Sequence, residues 1–331
     1  MFQRTSGTGI GTGTRTGIGT GTRTGIGTAR SGEALRGSGL GLFFAVTFAT
    51  TWAFWLIAIA LGGSPTSSPA AVPYLLGGFG PVFGALAVRA RRARRREPVP
   101  ARAVPYRQGV RVFLALPLLA LASASVVVGA LLADPLGGPG VSLAGGRELI
   151  ATVGGVVPFL VSMLIAGPLA EEPGWRGTAH PRLRASMGRV GAGVLLGAVW
   201  AVWHLPLFFI EGTVQAELGL FGWSGLMFSL SVVPVALLTG YAYERAGVVA
   251  SVAVHLGFNA TMAVLTVESP VTQALVLAVE LVLAAALLGT SREGRGRGVG
   301  GPDGVVRAEA VAVPTPMPVA AVPVPVPVRT N

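Results

Sequence analysis

The chain has 331 residues, of which 51% are hydrophobic and only 12% charged, and its mean hydropathy is +0.66; apolar runs of 18 residues or more recur along it, which excludes a soluble globular protein and indicates an all-α polytopic membrane helix bundle. The formal charge of +11 comes from 25 basic residues, all arginine, and in such a chain it reflects the positive-inside rule, so no nucleic-acid partner is expected. There is no cysteine, which removes disulfides, thiolate nucleophiles and thiolate ligands together.

Residues 1–38 form a Gly/Thr-rich tail in which the octet Gly-Thr-Gly-Thr-Arg-Thr-Gly-Ile occurs at 11–18 and again at 19–26. One apolar residue in eight cannot bury a core, and disorder is expected there. The transmembrane domain follows at 39–290. Its eight apolar spans lie near 40–61, 72–88, 110–132, 149–170, 190–210, 221–241, 248–267 and 271–289. The last two are joined tightly around Glu268-Ser269-Pro270, so they are expected to be antiparallel neighbours. Pro81, Pro117, Pro158 and Pro234 fall inside spans and predict kinks, which membrane bundles tolerate when neighbours satisfy the freed backbone. Residues 291–331 are a second tail, Gly/Arg-rich and then alternating Pro and Val, expected to be extended or disordered.

The arginines orient the bundle. With the N-terminus inside, five precede the first span and nine, Arg89 to Arg111, run from the end of span two to the first residues of span three. Four more (Arg176, Arg182, Arg184, Arg189) lie between spans four and five, Arg245 follows span six, and five are in the tail, so only Arg147 is left outside. Both termini are therefore expected in the cytoplasm of a multi-pass protein. The arginine run at 89–96 reads as an anchor to anionic membrane lipids. An arginine-only basic set in a Gly-, Ala- and Val-rich chain points to a bacterial plasma membrane.

Few polar residues inside the spans can do chemistry. Glu171-Glu172-Pro173-Gly174-Trp175-Arg176 closes span four, and two carboxylates at membrane depth need a reason. On a helix Glu172 and Arg176 share a face and suit an ion pair, while Glu171 points elsewhere and is left free. Span five carries Trp200-Ala201-Val202-Trp203-His204, and span seven carries His255-Leu256-Gly257-Phe258-Asn259. His255 and Asn259 share a helix face, and Gly257 lets another backbone come close. A carboxylate, two imidazoles and an amide supply a base, a water-orienting group and oxyanion donors, the parts for adding water to an amide carbonyl. His204 lies about 21 Å into its span at 1.5 Å per residue, so Glu171 can meet it only if helix four continues past Arg176. Glu280 in span eight finds no role, and His180, in an inner loop, is read as surface.

These stretches resemble the motifs of the CAAX-protease and bacteriocin-processing (CPBP, or Abi) family of intramembrane endopeptidases. Glu171-Glu172-Pro-Gly-Trp-Arg176 is similar to that family's Glu-Glu-x-x-x-Arg, and His255 to Asn259 resembles its His-x-x-x-Asn. Its Phe-x-x-x-His motif appears with Trp200 in place of the Phe before His204. The resemblance implies that Glu171 with His204 activates a water while His255 and Asn259 stabilise the oxyanion. It further implies that Arg176 holds Glu172 to tune the site, with Trp200 an aromatic wall of the substrate pocket. The implied substrate is a membrane-associated or lipidated peptide or protein.

Metal use stays open at this point. The family has been called a metalloprotease, and a divalent ion such as zinc would take Glu171, His204 and His255 as ligands. The chain nevertheless lacks the His-Glu-x-x-His spacing of zinc proteases, which favours a glutamate-activated water. Two other functions use the same residues. One is a proton-coupled transporter, for which duplicated halves would be the signature. The other is a non-catalytic scaffold or bacteriocin-immunity-type protein on the same bundle.

Overall fold

The computed structural model describes residues 39–65, 69–100, 102–104 and 111–290, so the expectations for the tails at 1–38 and 291–331 fall outside the described residues. Every regular element among the described residues is helical. In chain order these are α1 (Leu40–Leu61), α2 (Ala71–Gly78), α3 (Gly80–Arg95), α4 (Ala115–Leu131), α5 (Ala144–Thr152), α6 (Val156–Leu183), α7 (Arg189–Trp203), α8 (Val214–Leu218), α9 (Trp223–Ala246), α10 (Val248–Val264) and α11 (Pro270–Thr290). A 3₁₀ turn, Val112–Leu114, leads into α4, and another, Leu205–Phe209, extends α7.

The eight predicted spans all have helical counterparts. Six are long and apolar enough to cross a membrane. The segment near 72–88 is the pair α2 and α3, bent by 47° at Phe79, with Pro81 opening the second half. The eighth counterpart, α10, has only 17 residues, about 25 Å of helix at 1.5 Å per residue. Pro117 and Pro158 sit in first helical turns, where their missing N–H groups are not needed. Pro234 lies inside the unbroken α9.

The fourth span departs most from expectation. Its apolar run from 149 is split by Gly154 and Gly155, whose φ of 92° and 114° is backbone that suits glycine. The helix that matters starts after them, at Val156, and runs through the charged motif to Leu183.

Two buried clusters hold the bundle. The first is aromatic and joins Phe43, Trp55, Trp175, Trp200 and Trp203 from α1, α6 and α7. The second is built on small residues, Ala115 and Ala122 of α4, Ala242 of α9, Ala250 of α10 and Ala284 of α11. Small side chains let membrane helices approach closely, where no water drives them together. Gly257 shows it on α10, since a Cβ there would stand 2.7 Å from the Leu119 carbonyl of α4. Large apolar side chains such as Leu116, Val157 and Val282 face outward, as a surface in contact with acyl chains requires.

Candidate active site

Pro168 and Pro173 have no N–H for a helix ladder, yet both lie inside α6. The helix accommodates them by widening to π turns at Ile165–Leu169 and Trp175–Ala179, one on each side of the carboxylate pair, a distortion common at functional sites. The helix therefore continues past Arg176, and Glu171 and Glu172 stand in the interior at 5% and 0% exposure.

Glu172 holds two partners through one oxygen. Its Oε1 accepts from Arg176 Nη1 at 2.9 Å and from His255 Nδ1 at 2.9 Å. The first bond is the i, i+4 pair expected from spacing, and the second joins α6 to α10. The Arg176 guanidinium also lies 4.3 Å from the centroid of the Trp200 ring, a geometry favourable to a desolvated cation.

Glu171 is arranged differently. Its Oε2 accepts the indole N–H of Trp200 at 2.7 Å. Its Oε1 faces a space beside Gly167, one helical turn earlier. The point where a Cβ would stand on Gly167 lies 3.8 Å from Glu171 Oε1, 3.9 Å from His255 Nε2 and 3.4 Å from Asn259 Nδ2. Three of the four side chains singled out in the sequence thus border one small volume, with His255 and Asn259 presented by one face of α10.

His204 reaches this cluster through Trp200. Its Nδ1 is 2.9 Å from the Trp200 carbonyl; a carbonyl only accepts, so Nδ1 carries the proton and Nε2 keeps its lone pair. The imidazole packs on Trp200, Trp203 and Phe228 at centroid distances of 5.7, 4.9 and 5.5 Å. The Trp200 ring in turn meets His255 edge-on at 5.1 Å. Among the described residues no hydrogen bond joins His204 to Glu171. Spacing within one helix could not reveal that Trp200 is the common neighbour of Glu171, Arg176, His204 and His255. The available signal was that a buried indole N–H needs an acceptor.

Among the described residues no group of three His, Cys, Asp or Glu side chains is placed to hold a metal ion. Glu171 Oε2 and both Nδ1 atoms are committed to other partners, which leaves Glu171 Oε1 and the two Nε2 atoms as the donor atoms a metal would meet. The chemistry argued below runs through no metal.

His180 is not a surface residue. It lies in the last turn of α6 at 2% exposure, with Nε2 3.1 Å from Glu244 Oε1 of α9. Arg184 Nε donates to the same oxygen and Arg189 Nε to Oε2, each at 2.6 Å. Arg182 and Arg184 are buried as well. The physical reason is the length of α6: the helix carries these residues inward, where Glu244 and nearby carbonyls satisfy them. Glu280 is buried in α11, and among the described residues no hydrogen bond or ion pair ties it to the Glu171 cluster.

Residues 153–261 match the family described as type II CAAX prenyl endopeptidase Rce1-like. That segment contains Glu171, Glu172, Arg176, Trp200, His204, His255 and Asn259. The chain is also 30% identical over 137 residues to CAAX prenyl protease 2 of Methanococcus maripaludis, a match covering 40% of this chain and 49% of the relative. The chain thus spans about half the length of that curated relative. The match falls on the segment that carries the three motifs in order on α6, α7 and α10, so over residues 153–261 the chain is similar to that family of endopeptidases.

Proposed function

We propose that this protein is an intramembrane endopeptidase that hydrolyses a peptide bond of a membrane-associated or lipidated peptide or protein. The observation that carries the reading is the convergence of Glu171 Oε1, His255 Nε2 and Asn259 Nδ2 around one volume in the bundle interior. A base and two donors brought this close together suit addition of water to a carbonyl held beside them.

In this reading Glu171 Oε1 takes a proton from a water as its oxygen bonds to the scissile carbonyl carbon. His204, with Nε2 free to accept, orients that water. The carbonyl π pair becomes an oxyanion, which receives hydrogen bonds from Asn259 Nδ2 and from a protonated His255 Nε2. Collapse re-forms the C=O bond and breaks the C–N bond, and the proton on Glu171 passes to the leaving amine. Arg176 and the Glu172 carboxylate hold His255 in place, and Trp200 holds Glu171 and walls the substrate pocket.

The arginine distribution supports an orientation with both termini in the cytoplasm, in a bacterial plasma membrane. The lipidated substrate class is in keeping with the similarity to a protein named CAAX prenyl protease 2. The test is a comparative peptidomic profile of membranes carrying the wild-type chain or Glu171→Gln, together with cleavage of a lipidated peptide by the purified proteins. Cleavage products present only with the wild type, at equal thermal stability of the two, are the expected result. Indistinguishable profiles would sink the protease reading and leave a non-catalytic scaffold in its place.

A further inference from the structure

We infer that Thr51 of α1 is a positioning residue of this site: its hydroxyl fixes the Trp203 indole, and the indole sets the direction of the His204 ring. The inference rests on the endopeptidase reading above, in which His204 orients the water. Thr51 is fully buried. Its Oγ1 accepts the indole N–H of Trp203 at 2.9 Å and donates to the Gly77 carbonyl of α2 at 2.8 Å. The next residue of α1 grips the same partner, since the indole N–H of Trp52 donates to the Trp203 carbonyl at 3.2 Å. Two consecutive side chains of α1 thus hold both the ring and the backbone of the residue that precedes His204.

Proline explains why α1 is needed at both carbonyls. In an α-helix a carbonyl accepts from the N–H four residues on. For Gly77 that residue is Pro81, which has no N–H. For Trp203 it is Leu207, whose N–H bonds instead to the His204 carbonyl at 2.9 Å as the chain tightens into the 3₁₀ turn. The 3₁₀ donor, three residues on, would be Pro206, which again has none. Buried carbonyls require partners, and Thr51 and Trp52 supply them. α3 closes over the Thr51 hydroxyl, so near that a Cβ on Gly80 would collide with Oγ1.

The link to the chemistry is ring packing. Trp203 packs on Trp55 and Trp175 at centroid distances of 4.7 and 5.8 Å, and meets the His204 ring edge-on at 4.9 Å. The bond between His204 Nδ1 and the Trp200 carbonyl fixes one point of the imidazole. The Trp203 ring then determines how the imidazole lies about that point, and so where Nε2 is aimed. An indole released from Thr51 can tilt, and Nε2 turns with it.

Thr47 provides the control. It lies one turn earlier on α1, is equally buried and packs against α3 at Gly84, and among the described residues its hydroxyl makes no hydrogen bond. Thr51→Val keeps the shape and removes the hydroxyl, so kcat on a lipidated peptide should fall about 10–100-fold, the scale of a misplaced catalytic group, with KM unchanged. Thr51→Ser should recover most of that loss, and Thr47→Val should turn over like the wild type, all assayed below their unfolding midpoints in detergent. If Thr47→Val loses kcat as Thr51→Val does, or Thr51→Ser is no better than the valine, Thr51 merely packs helices and the inference fails. A rise in KM with kcat intact overturns it as well. Should Thr51→Val not fold, Trp52→Phe decides, because it withdraws the bond to the Trp203 carbonyl at a partly exposed ring: a lower kcat at unchanged KM supports the inference, and a normal kcat overturns it. Glu171→Gln is assayed in parallel. If it cleaves like the wild type, the protease reading fails and takes this inference with it; if it is inactive while the Thr51 and Trp52 variants keep full turnover, the inference fails alone.

Discussion

The indole N–H of Trp200 lies 2.7 Å from Oε2 of Glu171, so two buried side chains from α6 and α7 share one hydrogen bond. That bond divides the labour of the carboxylate. Oε2 is tethered, and Oε1 is the oxygen that faces His255 and Asn259. A phenylalanine, the residue of the family motif at this position, has no N–H to give.

Trp200→Phe removes the donor and keeps an aromatic ring. A buried carboxylate oxygen left short of a hydrogen bond costs about 1–3 kcal/mol, and the carboxylate is free to rotate. The expected result is a loss of turnover of about 10–100-fold, the scale associated with a misplaced catalytic group, with KM little changed. Steady-state kinetics on a lipidated peptide separate the two constants. A change in KM alone would make Trp200 a pocket wall only.

Arg176 and Glu172 are both fully buried and 2.9 Å apart. Removing the guanidinium leaves Glu172 with His255 as its one remaining partner on Oε1, and breaking a buried pair costs about 3–5 kcal/mol. Arg176→Ala should lower the unfolding midpoint in detergent accordingly. Arg176→Lys should recover only part of that loss, because an ammonium cannot stack its plane on Trp200 as the guanidinium does. If both variants keep wild-type stability and lose only cleavage, Arg176 contacts substrate and the structural assignment is wrong.

Much of the site was legible because it depends on spacing within single helices. Glu172 with Arg176, and His255 with Asn259, each sit four residues apart and each share a face in the structure. Gly257 was legible as a close approach for the same reason. The length of α6 was not legible. Apolarity ends at Ala170, and charge was read as the edge of the membrane, whereas Glu172, Arg176 and His255 neutralise one another inside the bundle. His180 was misplaced by the same inference, being carried inward on a helix that had been ended too early. Trp200 was seen as a wall because its bond to Glu171 spans two helices and leaves no periodic trace. Gly154 and Gly155 break the apolar run through backbone conformation, to which hydropathy is blind.

Glu244 gathers His180, Arg184 and Arg189 onto its two oxygens and ties the last turn of α6 to α9. Glu244→Ala leaves these donors without that acceptor, and charged hydrogen bonds of this kind are each worth about 1.5–3 kcal/mol. The end of α6 should loosen first. Trypsin should then cut the 184–189 segment faster in the variant than in the wild type, with the difference resolved by mass spectrometry of the fragments. Equal cutting rates would mean that the aromatic cluster alone holds this helix end.

Asn259 offers the sharpest test of how the oxyanion is held, because alanine and aspartate make opposite predictions for rival roles. Its Nδ2 is the atom nearest the space over Gly167, and the carboxylate oxygen of Glu171 borders the same space. An N–H directed there can donate to Glu171 at rest and to a developing oxyanion during attack. Asn259→Ala removes the donor and should reduce kcat by about 10²–10³-fold with little effect on KM, the usual signature of a group that acts mainly in the transition state. Asn259→Asp keeps the shape but replaces the donor with a second negative charge beside Glu171. That charge repels both the carboxylate and the oxyanion, so the aspartate variant should turn over more slowly than the alanine variant. If Asn259 served only to fill space or to fasten α10 to its neighbours, the nearly isosteric aspartate would be the milder change. Turnover of Asn259→Asp at or above that of Asn259→Ala, in protein of matched thermal stability, would therefore remove Asn259 from the oxyanion site.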